Sequence, residues 1–200
     1  MIVPLGNVAV VSTGYPFRKK VESEDGGDLV LLQIKDLDVA EGADGSGVIR
    51  LNNRTGKYRK YLLQDGDLLF QSRGSRHPVA VVKPGLRGIA AAGLHTIRPD
   101  PAHVLPEYVA WWLNHPNSQA KLREDLARGS YIPFVSKSDL ADFQIAVPPV
   151  NVQHQIAAIE RLRCEERALN DRRMKLREHL IDGATWAAAT GEYSRIQGHE

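Results

Sequence analysis

The sequence predicts an α+β fold: a mixed, strand-rich domain followed by one long C-terminal helix. Three observations predict it. Over residues 1–149 short apolar runs alternate with loops rich in Gly and Pro, the punctuation of strands. Two helical patterns break that series at uneven spacing, which argues for a mixed domain over regular βαβ units. After Pro149 the punctuation stops and leucines recur every seventh residue, the period of a helix with an apolar seam.

The elements follow in order. "VAVVS" (8–12), "LVLLQI" (29–34), "DLLFQ" (67–71), "VAVVK" (79–83), "LHTIR" (94–98) and "FQIAV" (143–147) have strand length and composition. The first helix is predicted over "LPEYVAWWLNH", with Pro106 in its first turn, Glu107 beside it and His115-Pro116 ending it. The second is predicted over "NSQAKLREDLARG", capped by Asn117 and stopped at Gly129. Asn151 is the expected cap of the long helix. Leu162, Leu169 and Leu176 then take the d position of a heptad, and Ile159, Glu166, Arg173 and Leu180 take a. That seam is imperfect, because Glu and Arg interrupt it. A helix of about thirty residues reaches roughly 45 Å, beyond the body of such a domain, so its leucine stripe calls for a partner outside that domain. The organisation expected is a domain over 1–149, a helix over 150–183 and an irregular tail over 184–200.

Composition excludes several classes. At 42% hydrophobic and 25% charged residues the chain is globular rather than disordered. Net charge is only +2 and the pI near 8.7, so a nucleic-acid surface must come from local clustering. The lone Cys164 excludes an internal disulfide and reads as a small apolar filler. "MIVPLGNVAVVSTG" has no basic start and no apolar segment of membrane length, so a cytoplasmic, soluble protein is expected. No internal repeat is present.

Catalytic patterns are also missing. "GADGSG" lacks the Lys-Ser/Thr pair of a phosphate loop. The seven histidines are scattered without metal-ligand spacing, and Ser72, Ser130 and Ser136 sit in no nucleophile elbow. Asp65 and Asp67 in "QDGDLLFQSR" are the one candidate metal pair, yet "DGD" before an apolar run reads more simply as a turn into a strand. The sequence therefore favours a binding protein without a cofactor or metal of its own. Three loops carry clustered cations: Arg18-Lys19-Lys20; Arg54, Lys57, Arg59 and Lys60 with Tyr58 and Tyr61; and Arg73, Arg76 and His77. Any one is most simply solvated surface. Together they suit DNA, because loop-borne Arg and Lys neutralise phosphates and Arg can bind a guanine edge bidentately.

One stretch carries more than composition. "GSYIPFVSKSDLADFQIAVPPVNVQHQIAAIERL" resembles the end of a target-recognition domain and the start of the long helix in specificity (S) subunits of type I restriction–modification systems. The matching features are Gly129-Ser130, the strand Gln144 to Val147, Pro148-Pro149, Gln153 and Ile156. "PLGNVAVVSTGYP", "GDLLFQSRGS" and "LPEYVAWWLN" are similar to earlier parts of the same family. The chain departs from it at Val152, where the family has Glu, and in holding one recognition domain and one helix rather than two of each.

The resemblance implies a subunit that reads half of a bipartite DNA site and positions adenine-N6 methyltransferase (modification) subunits. Those subunits carry S-adenosylmethionine, and a restriction/motor subunit can join them. A chain with a single domain implies either a fragment or a half-subunit that homodimerises. Its helices would pair as an antiparallel coiled coil through Ile159, Leu162, Leu169, Leu176 and Leu180, with the axis near Leu169 and Glu166 facing Arg173. The expected DNA contacts are Lys57, Arg59, Lys60, Arg73 and Arg76, with Arg18, Lys19 and Tyr131 behind them. An adaptor that recruits a protein partner through the helix is the alternative reading. A nuclease using Asp65 and Asp67 stands third.

Overall fold

Strand β1 (Ile2–Pro4) opens the chain, followed by β2 (Ala9–Thr13), β3 (Leu29–Leu32), the short helix α1 (Leu37–Ala40) and β4 (Ile49–Leu51). Next come β5 (Leu68–Gln71), β6 (Val79–Val81), β7 (Gly88–Ala90) and β8 (Leu94–Pro99). Helices α2 (Pro106–Asn114), α3 (Pro116–Leu126) and α4 (Lys137–Asp142), strand β9 (Gln144–Ala146) and the helix α5 (Val150–Thr190) complete the order. This computed structural model describes residues 1–41, 47–126 and 133–191. It divides into two units, Met1–Ala157 and Ala158–Glu200. The class is α+β, as expected.

The first unit is layered. The central sheet is antiparallel throughout, in the order β2-β8-β5-β6. A second sheet has the order β4-β3-β7, with β7 parallel to β3, and β1 pairs with β9. Strand β5 buries both faces. Leu68 and Phe70 join Val11, Ile97, Tyr108, Val109, Leu113 and Leu140 in one core, whereas Leu69 packs with Val30, Leu32, Ala80, Val82 and Leu94 in another. Likewise Leu29 and Leu31 of β3 turn to a third cluster with Leu51, Tyr58 and Ile89. Two buried faces explain why "DLLFQ" and "LVLLQI" are continuous apolar runs rather than alternating ones.

All six predicted strand runs contain a strand, and both predicted helices form. The unexpected strands β1, β4 and β7 have three residues each, too few to show a period. Helix α4 also went unread, although its capping box is in the sequence: Ser136 Oγ accepts the Asp139 N–H at 3.1 Å and Asp139 Oδ2 accepts the Ser136 N–H at 3.2 Å.

Three boundaries differ from expectation. Helix α3 begins at Pro116, so Asn117 lies inside its first turn; His115 Nδ1 accepts the Asn117 N–H at 3.2 Å and caps it. Proline suits that first position because its φ is already helical and it has no N–H to satisfy. Gly129, the expected stop, lies outside the described residues. Helix α5 starts at Val150, and the Pro149 carbonyl rather than Asn151 closes its first turn, accepting the Val152 and Gln153 amides. The helix then continues through Gly183 to Thr190, 41 residues in all, about 60 Å long. The alanines after Gly183 offset the roughly 1 kcal/mol that a helical glycine costs.

Candidate nucleic-acid interface

Strand β7 brings two basic loops together. Tyr15 forms a bridge with Ala91 at one end, and Leu62 pairs with Ile89 beside it. Residues 15–21 and 57–61, distant in sequence, thus flank the same strand. Gly14 permits the approach: a Cβ there would stand 2.1 Å from the Ala91 carbonyl oxygen. The Tyr15 ring then packs on Phe17, Tyr61 and Tyr58 with centroids 4.6, 5.0 and 5.1 Å away. Tyr15, Phe17 and Tyr58 line an open cleft of about 440 Å³ together with Arg18, Lys19, Lys20 and Lys57, with Glu22 and Glu24 in the same lining. Lys57 Nζ lies 5.1 Å above the Tyr58 ring and 5.5 Å above that of Tyr15. Hydrogen bonding to the Tyr58 hydroxyl, and then to that of Tyr15, raises the Lys57 pKa above its ordinary value. Arg18, Lys19, Arg59 and Lys60 are exposed, the last two on a single 3-10 turn, Arg59–Tyr61. Tyr58, only 5% exposed, offers no free face for stacking on a base.

Arg73 and Arg76 occupy a separate loop with a rigid base. Beyond β5 the chain turns at Gly74, whose φ of +114° favours glycine. Gln71 Nε2 donates to the Arg73 carbonyl at 2.6 Å, the Gly74 N–H donates to the Pro133 carbonyl at 3.0 Å and the Val135 N–H to that of Ser72 at 2.9 Å. Arg73 also bridges Phe134, and its guanidinium lies 5.2 Å over that ring. A cation–π contact of this kind restrains the guanidinium while leaving its N–H groups available. Arg73 has no carboxylate partner among the described residues.

His77, grouped with these cations in the sequence, is fully buried and belongs to the scaffold. Its Nδ1–H donates to the Gln71 carbonyl at 2.8 Å, and Gln119 of α3 brackets its backbone, accepting from His77 N–H at 3.1 Å and donating to its carbonyl at 2.9 Å. Its ring stacks on one face of Phe70 at 5.5 Å while His95 stacks at 6.3 Å. His95 Nε2–H donates to the Val135 carbonyl at 2.9 Å. Burial lowers both pKa values, with smaller contributions from Arg123 at His77 and Lys137 at His95. Both rings are therefore neutral at pH 7, and their remaining nitrogens, His77 Nε2 and His95 Nδ1, are buried lone pairs without a partner among the described residues.

Asp67 is a structural residue. It is 1% exposed, and its two oxygens take Arg98 Nε and Nη2 at 2.7 Å each while Oδ2 also accepts the Gln64 N–H at 2.8 Å. Asp65 accepts the Gly85 N–H at 3.0 Å. Both carboxylates serve turns, and among the described residues no three His, Cys, Asp or Glu gather to hold a metal.

Tyr131 lies outside the described residues. On α5, Ile159, Leu162, Leu169, Leu176 and Leu180 are all exposed, as is Cys164, which fills no core. No helix among the described residues is long and apolar enough to cross a membrane. Sequence reasoning overlooked Tyr15, Phe17, Phe134 and Arg123. The first two carried a legible signal, since "GYPF" leads directly into "RKK".

Among known families, that of the type I restriction modification DNA specificity domain matches residues 1–159. The chain belongs to this family. The matched specificity-domain region takes in the strand-rich unit and the first turns of α5. Solved structures share its fold. One, concerned with complex assembly and conformational transition of the type I R-M system, has a TM-score of 0.61 at 20% identity over 84% of this chain and 39% of its own. The HsdS subunit from Thermoanaerobacter tengcongensis gives 0.57 at 19% identity over 85% and 38%. The type I S subunit from M. genitalium gives 0.56 at 17% over 82% and 39%. The specificity-domain chain thus spans about two-fifths of the length of each. No curated protein matches it.

Proposed function

We propose that this chain is the DNA-recognition subunit of a type I restriction–modification complex, acting in the cytoplasm without a cofactor of its own. It reads one half of a bipartite site and positions adenine-N6 methyltransferase subunits, which supply S-adenosylmethionine; a restriction/motor subunit can join the assembly. The observation that carries the reading is Arg73. A guanidinium held over the Phe134 ring, on a loop hydrogen-bonded at both ends and without an acid partner among the described residues, is prepared to meet a guanine edge. The cations around the Tyr15 cleft, Lys57, Arg18 and Lys19 with Arg59 and Lys60 on the adjoining turn, supply phosphate contacts. The leucine stripe of α5 supports homodimerisation as an antiparallel coiled coil, with Leu169 near the axis. Two copies then read the same half-site across a gap, and the target is an interrupted palindrome.

The test is a genome-wide map of methylated adenine in the native host, with the gene present and deleted. Loss of methylation at one interrupted palindrome is expected. Loss at an asymmetric bipartite site would keep the recognition role and remove the homodimer. Survival of every methylated motif, with the modification subunit expressed, would favour a protein adaptor acting through α5.

A further inference from the structure

The 72–78 loop faces a second feature on its other side. Arg76, Pro78, Asn114, Pro116, Gln119 and Arg123 line one open groove of about 380 Å³ between this loop and the α2–α3 corner. Its polar floor is already committed. Asn114 Oδ1 accepts the Val79 N–H at 3.0 Å and its Nδ2 donates to the Val79 carbonyl at 2.8 Å. Gln119 is engaged with the His77 backbone and donates to the Leu113 carbonyl at 2.8 Å. The donors left to the groove are the two guanidiniums, both exposed. None of the described residues lining it is acidic, and neither arginine has an ion pair among the described residues. The field of Arg123 also reaches inward, where it contributes to the lowered pKa of His77.

Two like charges on a shared groove, over a neutral floor, repel each other unless an anion lies between them. We propose that Arg76 and Arg123 form a seat for one phosphate of the DNA backbone, so that Arg76 holds the duplex while Arg73, on the same loop, addresses the bases. This rests on the DNA-recognition reading and adds to it a division of labour and a residue, Arg123, from a separate element. A phosphate contact positions the duplex without sensing sequence, and each phosphate neutralised adds about 0.9 to the slope of log K against log salt.

The experiment titrates the full chain with mixed-sequence duplex DNA and with duplexes it selects from a randomised pool, over a series of NaCl concentrations. The double variant R76A/R123A is expected to flatten the salt slope by about 0.9 per chain bound, weaken all duplexes by the same factor and select the same bases; R76K/R123K is expected to keep the slope. Each single alanine variant should flatten it less than the pair. A slope unchanged in R76A/R123A would overturn the seat, as would altered base selection or a flattening of about 1.8 per chain bound, which means two separate phosphates on each chain. Should the unmodified chain bind no duplex in a salt-dependent way, the recognition reading itself fails; binding by that chain with an indifferent double variant removes the seat alone. Urea unfolding midpoints, expected to be equal because both side chains are exposed, separate loss of binding from loss of fold.

Discussion

Buried histidines set a pH limit on this domain. His77 and His95 both stack on Phe70 and hydrogen-bond to the carbonyls of Gln71 and Val135, on the two segments that hold the Arg73 loop. Burial lowers their pKa values in the fold, while in the unfolded chain each takes a proton near pH 6.5. Above that pH neither state binds the proton and stability is unaffected. As pH falls below it the unfolded state gains protons that the fold excludes, so stability declines, by at most about 1.4 kcal/mol per pH unit for each histidine, until the lowered folded-state pKa is passed. Urea unfolding between pH 8 and pH 5 is expected to show this decline, and the double variant H77Q/H95Q to flatten it. A profile equally steep in that variant would place the sensitivity elsewhere. None of this was legible in the sequence, where His77 stood beside two arginines and read as a third cation. Hydrophilic neighbours in a loop do not reveal that one of these three side chains points inward.

The root of helix α5 is tied to the first unit by the side-chain amide of Gln153 and by Ile156, which packs on the core. Gln153 is 1% exposed; its Oε1 accepts the Leu105 N–H at 2.9 Å, and Nε2 donates to the carbonyls of His103 at 3.0 Å and Pro148 at 2.9 Å. The amide saturates three backbone groups at the root of the helix, which explains how this start holds with Val152 where the family has Glu. Removal leaves buried polar groups without partners, so Gln153→Ala is expected to destabilise the first unit by about 2–3 kcal/mol. Gln153→Glu should be at least as damaging, because an ionised carboxylate cannot donate to the two carbonyls. Urea unfolding, with hydrogen exchange at the Leu105 amide, checks both; a Glu variant as stable as the native chain would contradict the assignment. At this scale the periodic runs told helix from strand, and the three-residue strands escaped because their pairing partners are distant in sequence. Strand β7, unread, is the one that joins the two basic loops.

For the whole molecule, the unresolved economy is the apolar face of α5. Leu169 is 67% exposed, and the ion pair Arg163–Glu160 at 3.0 Å contributes only a few tenths of a kcal/mol to an isolated helix. Leu169→Glu is therefore expected to leave the fold of the first unit intact and to weaken self-association at least about 100-fold, since two carboxylates would meet near the axis. Sedimentation equilibrium of both proteins decides it. A native chain that is monomeric, or a variant that still dimerises, would remove the antiparallel pairing at Leu169.

The sequence by itself determined the α+β class, the six longer strand runs, the long helix with its leucine stripe, and the family, because these rest on local periodicity and on motif order along the chain. It also located the cationic loops. Only the tertiary structure decided which of those cations act together. Arg18, Lys19 and Lys57 meet because β7 holds their loops side by side, Arg73 acquires Phe134 as its support, and Arg76 shares a groove with Arg123 from another helix. Such pairings depend on contacts between segments far apart in the chain, and no local pattern of side chains encodes them.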